Sequence, residues 1–420
     1  MHNWLNLWCG QRSDVMLSWD KTPALATIRQ CRAWVEIDLE ALQHNVRQLT
    51  QHIGAKTTLM AVVKADAYGH GAIAIADAAL AAGARWLGVA TVPEGVELRE
   101  AGITAPIMIM GAINSPEEVA AIARWRLQPT LVSPKQALVF SEALGQGSTG
   151  TLPVHLKIDT GMSRLGFPWQ QATEFVQFVQ RLPQLNIHSV YSHLATADDP
   201  DPTVMCQQHQ RYEAVLAQVA AQNITLPKRH LANSAATLTD PALHYDMVRA
   251  GLALYGLYPA AHLSSKLALR PVLQVKARIT HIKEIQPGTG VSYGHTFVAE
   301  RPMQIAVVGI GYADGVPRAL SNRMEVLVQG QHAPQIGNIT MDQLMIDVTH
   351  IPHLQEGSVV TLLGQDGEHH IGADHWAMLT NTISWEILCG FKHRLPRITT
   401  APSSMSSLLS SESREWRDRA

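Results

Sequence analysis

Cysteine is nearly absent: Cys9, Cys31, Cys206 and Cys389 are the only four in a chain of 420 residues, and no two form a C-x-x-C pair. That scatter excludes a disulfide framework and a thiolate zinc site, and it suits a reducing cytoplasm. An excess of charge is missing as well. Lys and Arg number 33 against 35 Asp and Glu, a formal net charge of −2, so nothing steers the chain toward nucleic acid or an acidic membrane. No apolar run reaches the roughly 20 residues of a membrane helix. The opening "MHNWLNLWCGQRSDVML" breaks its hydrophobic stretch too early for a signal peptide. The 20 histidines contain no H-x-x-x-H pair with a third ligand nearby, so no metal site is expected. Small polar ligands remain as the expected partners.

With 46% hydrophobic residues over this length, the chain can bury more than one core. The two ends stand apart from the rest. Residues 1–32 show no periodicity and read as a poorly ordered extension. Residues 401–420, "APSSMSSLLSSESREWRDRA", are serine-rich and read as a disordered tail.

Between the ends, short β-like runs alternate with helical stretches. "TLMAVV" precedes "GAIAIADAALAAGA", "WLGVAT" precedes "PEGVELREAG", and "PIMIMG" precedes "SPEEVAAIARW", whose Ser115, Pro116 and Glu118 mark a helix start. "LQPTLV", "VHLKID", "SVYSHL", "RHLANS" and "DMVRAG" bring the strands to eight. Such βα alternation implies a parallel sheet with right-handed crossovers. Eight units without a G-x-G-x-x-G turn predict a closed α/β barrel of eight parallel strands over residues 33–265. From residue 266 to 400, runs such as "LQVKARITHIKEI" and "SVVTLLG" are punctuated by Gly and Asp and predict a mostly β second domain.

In such barrels chemistry gathers at the C-terminal ends of the strands. Lys64 ends the first predicted strand, His193 the sixth, Asn233 and Ser234 the seventh, and Arg249 the eighth. The loop "DTGMSRLG" after the fifth delivers Arg164. Polar residues converging on one barrel face point to a site more strongly than any one of them does alone.

The stretches "WVEIDLEALQHNV", "AVVKADAYGHG", "KIDTGMSRLGF", "SHLATAD", "ANSAA", "VRAGLALYG", "VSYGHTF", "GYADGVPR", "GNITMDQ" and "NTISWEILCG" run in order from residue 34 to about 397. Together they closely resemble the alanine racemases, α/β-barrel enzymes with a pyridoxal 5'-phosphate cofactor. The resemblance implies that Lys64 carries the cofactor as an aldimine and that Tyr68, Asn233, Ser234, Gly251 and Leu252 help hold it. Tyr68, the Ser234 hydroxyl and the backbone at 251 and 252 would take its phosphate. It places Arg249 against the pyridine nitrogen, with His193 as orienting partner. An arginine only donates, so that nitrogen should stay unprotonated, which favours racemisation over decarboxylation.

Two bases are implied, Lys64 for the D-enantiomer and Tyr293 for the L-enantiomer, with His193 or Arg249 assisting the tyrosine. Arg164 and the backbone N–H of Met341 would bind the substrate carboxylate. Tyr293 and Met341 come from the partner subunit in this family, which implies a homodimer with composite sites. Lys157 matches a lysine that is carbamylated in some members and positions the arginine; the unmodified form is the alternative. Tyr312 and Arg318 match residues near the substrate entrance. One departure stands out: the usual tyrosine of an "ISYE" pattern is Trp385, which narrows the same entrance with a bulkier ring and only an indole N–H to donate. The expected activity is interconversion of L- and D-alanine in the cytoplasm, feeding peptidoglycan. A racemase of serine or another small amino acid, and a non-catalytic cofactor carrier on the same barrel, are the alternatives.

Overall fold

The computed structural model describes residues 31–145 and 150–400. The expected extension, but for its last two residues, and the expected tail lie outside the described residues. Strand β1 (Ala33–Asp38) is followed by a helix, Leu39–Ile53, that buries Leu42, Val46 and Leu49 along one face. Asp38 starts that helix by accepting the Ala41 N–H at 2.9 Å.

Eight parallel strands then form the barrel: β2 (Thr58–Val62), β3 (Trp86–Val89), β4 (Ile107–Ala112), β5 (Gln128–Leu131), β6 (Leu152–Asp159), β8 (Leu185–Tyr191), β9 (Arg229–His230) and β10 (Met247–Ala250). The short β7 (Phe167–Pro168) pairs with β6 beside this path. At the seam between β9 and β10, Asp246 N–H donates to Arg229 O and Arg249 N–H to Ala232 O, both at 3.1 Å, so the ring nearly closes. Helices follow most strands as the periodicity predicts. Ser115 caps Pro116–Arg124 by accepting the Glu118 N–H at 3.2 Å.

Strand alternation sends every second side chain into the barrel. Met60, Trp86, Met108, Tyr191 and Met247, from five strands, form one buried cluster there. The inward positions of β5, β6, β8, β9 and β10 also hold Thr130, His155, Lys157, Ser189, His230 and Arg249, all buried. Half of this barrel interior is therefore polar.

The second sheet contains β11 (Leu273–Ile285), β14 (Met303–Val308), β15 (Glu325–Val328), β16 (Gln331–Ile336), β17 (Leu344–Asp347), β18 (Val359–Asp366), β19 (His369–Ile371) and β20 (Arg397–Thr400), with β12 (Gly290–Val291) and β13 (Phe297–Val298) as a separate ribbon. The 13-residue β11 pairs with β1, β14 and β18, which curls the sheet onto itself. One boundary of the sequence reading needs correction. Residues 33–38 do not join the barrel, because β1 pairs antiparallel with β11 and parallel with β20. The barrel is thus inserted between β1 and the rest of the β domain. Asn45 ties the crossing, donating to Leu254 O at 2.9 Å and Arg270 O at 2.7 Å and accepting the Arg270 N–H at 2.8 Å.

Candidate active site

A cavity of about 590 Å³ opens at the C-terminal ends of the barrel strands. Ten of the residues singled out from the sequence line it: Lys64, Tyr68, Arg164, His193, Asn233, Ser234, Arg249, Gly251, Leu252 and Trp385. Lys157 lines it as well. All but Trp385, which lies on the helix Ser384–Gly390, arrive there from a barrel strand or the loop just beyond it.

Lys64 stands two residues past β2 and opens a tight turn. Ala65, Asp66, Ala67 and Tyr68 take φ values of 53°, 52°, 52° and 56°, a left-handed turn of L-residues that costs about 1–2 kcal/mol per residue. Hydrogen bonds hold it in place. The Glu94 carboxylate accepts the Ala65 N–H at 2.7 Å and the Ala90 N–H at 2.6 Å, and Asp66 accepts the Ala72 N–H at 2.8 Å. From the β domain, Arg397 donates to Gly69 O through Nε at 3.1 Å and Nη2 at 3.0 Å. Gly69 has φ +81°, and a Cβ there would sit 2.6 Å from Leu388 O, so this position requires glycine. Burial, with the positive charge of Arg164 second, lowers the Lys64 ammonium below its ordinary pKa and frees amine for chemistry.

Across the cavity Arg249 is buried. Its Nη1 donates to His230 Nδ1 at 3.0 Å, and Nη2 donates to Ser192 O at 2.8 Å, Leu231 O at 3.0 Å and His193 Nδ1 at 3.1 Å. Burial lowers its pKa to about 10, which leaves it a cation at neutral pH. Among the described residues no carboxylate pairs with it; every one of these acceptors is neutral. Burial and the same cation hold His193 well below the usual imidazole range, so its Nδ1 offers a lone pair to Arg249.

A third corner of the cavity gathers donors. The Ser234 hydroxyl accepts the N–H groups of Gly251 at 2.9 Å and Ala253 at 3.3 Å, and Asn233 caps the short helix that Ser234 begins by accepting the Ala236 N–H at 3.0 Å. Tyr68 leans over Gly251, where an added Cβ would meet its hydroxyl oxygen at 2.6 Å. Its ring packs on Tyr255, centroids 4.9 Å apart, and the Tyr255 hydroxyl donates to Val62 O at 2.8 Å. Glycine at 251 therefore keeps a small polar cradle open beneath the phenol. An amine, a cationic donor and an oxygen-binding cradle at three corners fit pyridoxal 5'-phosphate, whose aldehyde, ring nitrogen and phosphate are spaced around one ring.

Lys157, on β6, is buried with Nζ 5.5 Å from the Tyr191 ring centroid. Burial first, then Arg249 and Arg164, pull its pKa down to about 8. The other four predicted residues lie elsewhere in a single chain. Tyr293 is 75%, Met341 53% and Tyr312 43% exposed on the β domain, and Arg318 is exposed near them. They share one surface: Asn338 donates to Tyr293 O at 2.6 Å, and the N–H groups of Tyr312 and Ala313 donate to Thr340 O and Met341 O, both at 3.0 Å. Sequence reasoning missed His230, Tyr191 and Glu94. The first two share the inward register of Arg249 and Lys157, and that alternation is the signal that finds them.

Fold and site define an α/β barrel whose strand-end cavity is lined by a half-buried lysine, Lys64, and a buried arginine, Arg249. Residues 37–259 match the family described as alanine racemase, N-terminal domain, and residues 272–399 match alanine racemase, C-terminal domain. An alanine racemase from Nostoc sp. is 66% identical over 368 residues, covering 87% of this chain and 95% of that protein. One from Synechocystis sp. is 65% identical, covering 88% and 99%. Among solved structures, the Bacillus anthracis alanine racemase with bound L-Ala-P superposes with TM-score 0.83 at 34% identity, covering 88% of this chain and 95% of that one. The Bartonella henselae alanine racemase with covalently bound pyridoxal phosphate gives 0.80 at 32%, covering 88% and 100%. The chain belongs to the alanine racemase family and is an isomerase, an amino-acid racemase.

Proposed function

We propose that this enzyme interconverts L- and D-alanine with pyridoxal 5'-phosphate seated in the Lys64 cavity, as a cytoplasmic homodimer that supplies D-alanine for peptidoglycan. The observation that carries the reading is the three-cornered cavity, with Lys64, Arg249 and the Ser234–Gly251–Tyr68 cradle on its walls. When bound, the cofactor supplies a conjugated electron sink that acidifies the Cα–H of an attached amino acid.

The chain's own residues divide the remaining work. Lys64, whose ammonium is destabilised first by burial and then by the charge of Arg164, takes and returns the proton at one face of Cα. Arg249 would hold the cofactor's ring nitrogen by donation and supply it no proton, which would favour reprotonation at Cα over side reactions. Ser234, Tyr68 and the N–H groups at Gly251 and Leu252 would bind the phosphate end, with Asn233 capping the helix that presents Ser234. Arg164 takes the substrate carboxylate.

Tyr293 serves the opposite face of Cα and the Met341 N–H the carboxylate. Both sit on an exposed surface of the β domain, so in this reading a second copy of the chain delivers them, with Tyr312 and Arg318 lining the approach. In this reading His193, which accepts from Arg249, or Arg249 itself assists that tyrosine as a base. Lys157 positions Arg164, as a carbamate or in its unmodified form. Trp385 narrows the cavity mouth to small side chains, which supports alanine as substrate.

The test is a visible absorbance band on the cofactor-loaded enzyme that Lys64→Ala removes, followed by L-alanine turnover in deuterated water. Deuterium at Cα in both enantiomers is the expected result. A band with no exchange from alanine would overturn the assignment of substrate.

A further inference from the structure

Behind Arg249 a chain of side chains runs around the barrel interior, one from each of four adjoining strands. Arg249 Nη1 meets His230 Nδ1 at 3.0 Å, and His230 Nε2 meets Ser189 Oγ at 2.9 Å. Ser189 Oγ meets His155 Nδ1 at 2.6 Å, and His155 Nε2 meets Gln128 Oε1 at 3.2 Å. His230, Ser189 and His155 are wholly buried.

The two ends determine every proton between them. A guanidinium only donates and an amide oxygen only accepts. His230 must therefore offer a bare Nδ1 to Arg249 and carry its proton on Nε2. Ser189 accepts that proton's hydrogen bond and gives its own hydrogen to His155 Nδ1. His155 in turn carries its proton on Nε2 and donates to Gln128. A second proton on His230 would set donor against donor at Arg249, and one on His155 would cost the Ser189 hydroxyl hydrogen its acceptor, so the series runs one way and stays neutral.

We propose that Ser189, His155 and Gln128 are positioning residues for the racemase reaction, which hold the His230 ring in the orientation that accepts from Arg249 and thereby keep Arg249 an aligned, unneutralised cation at the cavity wall. A carboxylate in place of His230 would anchor the arginine equally well but cancel its charge. The neutral series anchors it and leaves the charge for the cavity. The surroundings reinforce neutrality. Tyr191 stacks on His230 at 4.7 Å, Trp86 meets His155 edge-on at 5.5 Å, and the nearby His188 and Lys228 supply no negative charge. Burial accordingly holds both imidazoles well below their ordinary range.

The tautomers are measured by two-bond 15N–1H correlation spectra of histidine-labelled, cofactor-loaded enzyme. His230 and His155 should both be Nε2–H forms that do not gain a second proton down to about pH 5.5, a unit below the ordinary imidazole value. An Nδ1–H form, or a doubly protonated ring in this range, overturns the proposal. This measurement needs no substrate, so it stands apart from the proposed function, on which only the kinetic arm rests. In that arm Ser189→Ala, which leaves the buried His230 Nε2–H without its acceptor and so loosens the ring that aligns Arg249, should lower kcat about 10-fold with KM within twofold, and Ser189→Thr, which keeps the hydroxyl, should restore it. Gln128→Glu, which favours a charged His155 and reverses the series, should lower kcat likewise. A Ser189→Ala enzyme with parental kcat would show that the series has no positioning role.

Discussion

Replacing Gly251 by alanine tests the cradle directly. The new Cβ would lie 2.6 Å from the Tyr68 hydroxyl oxygen and 3.2 Å from Cζ, so the phenol must retreat by several tenths of an ångström. It has little room. Tyr68 is 8% exposed, its ring is backed by Tyr255, and its backbone belongs to the left-handed turn. Overpacking of a fixed neighbour costs about 1–3 kcal/mol. If the displaced group faces the phosphate, as proposed, the same energy should appear as cofactor affinity weakened by about 5- to 150-fold. Titrating cofactor-free enzyme with pyridoxal phosphate, beside denaturant midpoints of the cofactor-free protein, reads both quantities. The closest clash is with the hydroxyl, so a double-mutant cycle isolates it. Gly251→Ala should cost less stability in a Tyr68→Phe background. Equal cost in both backgrounds, or unchanged affinity in the single variant, would refute the steric reasoning.

Lys64→Ala should lower alanine racemisation by at least about 10²–10⁴-fold, the range of a lost acid–base group; a parental rate would remove Lys64 from the chemistry. Tyr293→Phe should suppress Cα deuterium exchange starting from one enantiomer far more than from the other, and equal suppression would contradict a two-sided mechanism. For Lys157 the pKa falls from 10.5 to about 8 on folding, so the unfolded chain binds that proton more tightly. The penalty is complete below pH 8 and is relieved as pH rises to 10.5, worth about 3 kcal/mol. In carbon-dioxide-free buffer, Lys157→Met should remove that part of the rise in denaturant stability between pH 8 and 10.5; an unchanged slope would refute it. Trp385→Tyr adds a hydroxyl at the cavity mouth and should tighten cofactor binding, and an unchanged titration would mean the indole costs the phosphate nothing.

The barrel was legible because helices and strands leave different periods in the apolar pattern, and "LQVKARITHIKEI" coincides with β11, Leu273–Ile285. Lys64, Asn233, Ser234 and Arg249 were legible because loops following parallel strands open on one face. The placement of β1 was not. "AWVEID" alternates equally well for either sheet, and its partners at 273–277 and 397–400 leave no local trace. The polar series behind Arg249 escaped for another reason. His155, Ser189 and His230 alternate with apolar neighbours, a pattern that water on a strand's outer face would also produce, so periodicity does not separate solvent from a polar barrel interior. The roles proposed for Tyr293 and Met341 rest only on the family motif, since nothing around an exposed residue of the β domain marks it for the cavity of another copy.

The pairing of Val35 with Arg397 also has a meaning in time. A chain emerging from the ribosome presents the barrel strands one after another, so the barrel can assemble while synthesis continues. Strand β1 must wait, an unpaired edge, until β11 and then β20 appear, and such distant pairing is the slow part of folding. The arginine that clamps Gly69 O is the first residue of that last strand. The turn that presents Lys64 is made early and locked late, so a catalytically competent barrel also marks the completed arrival of the far end of its own fold.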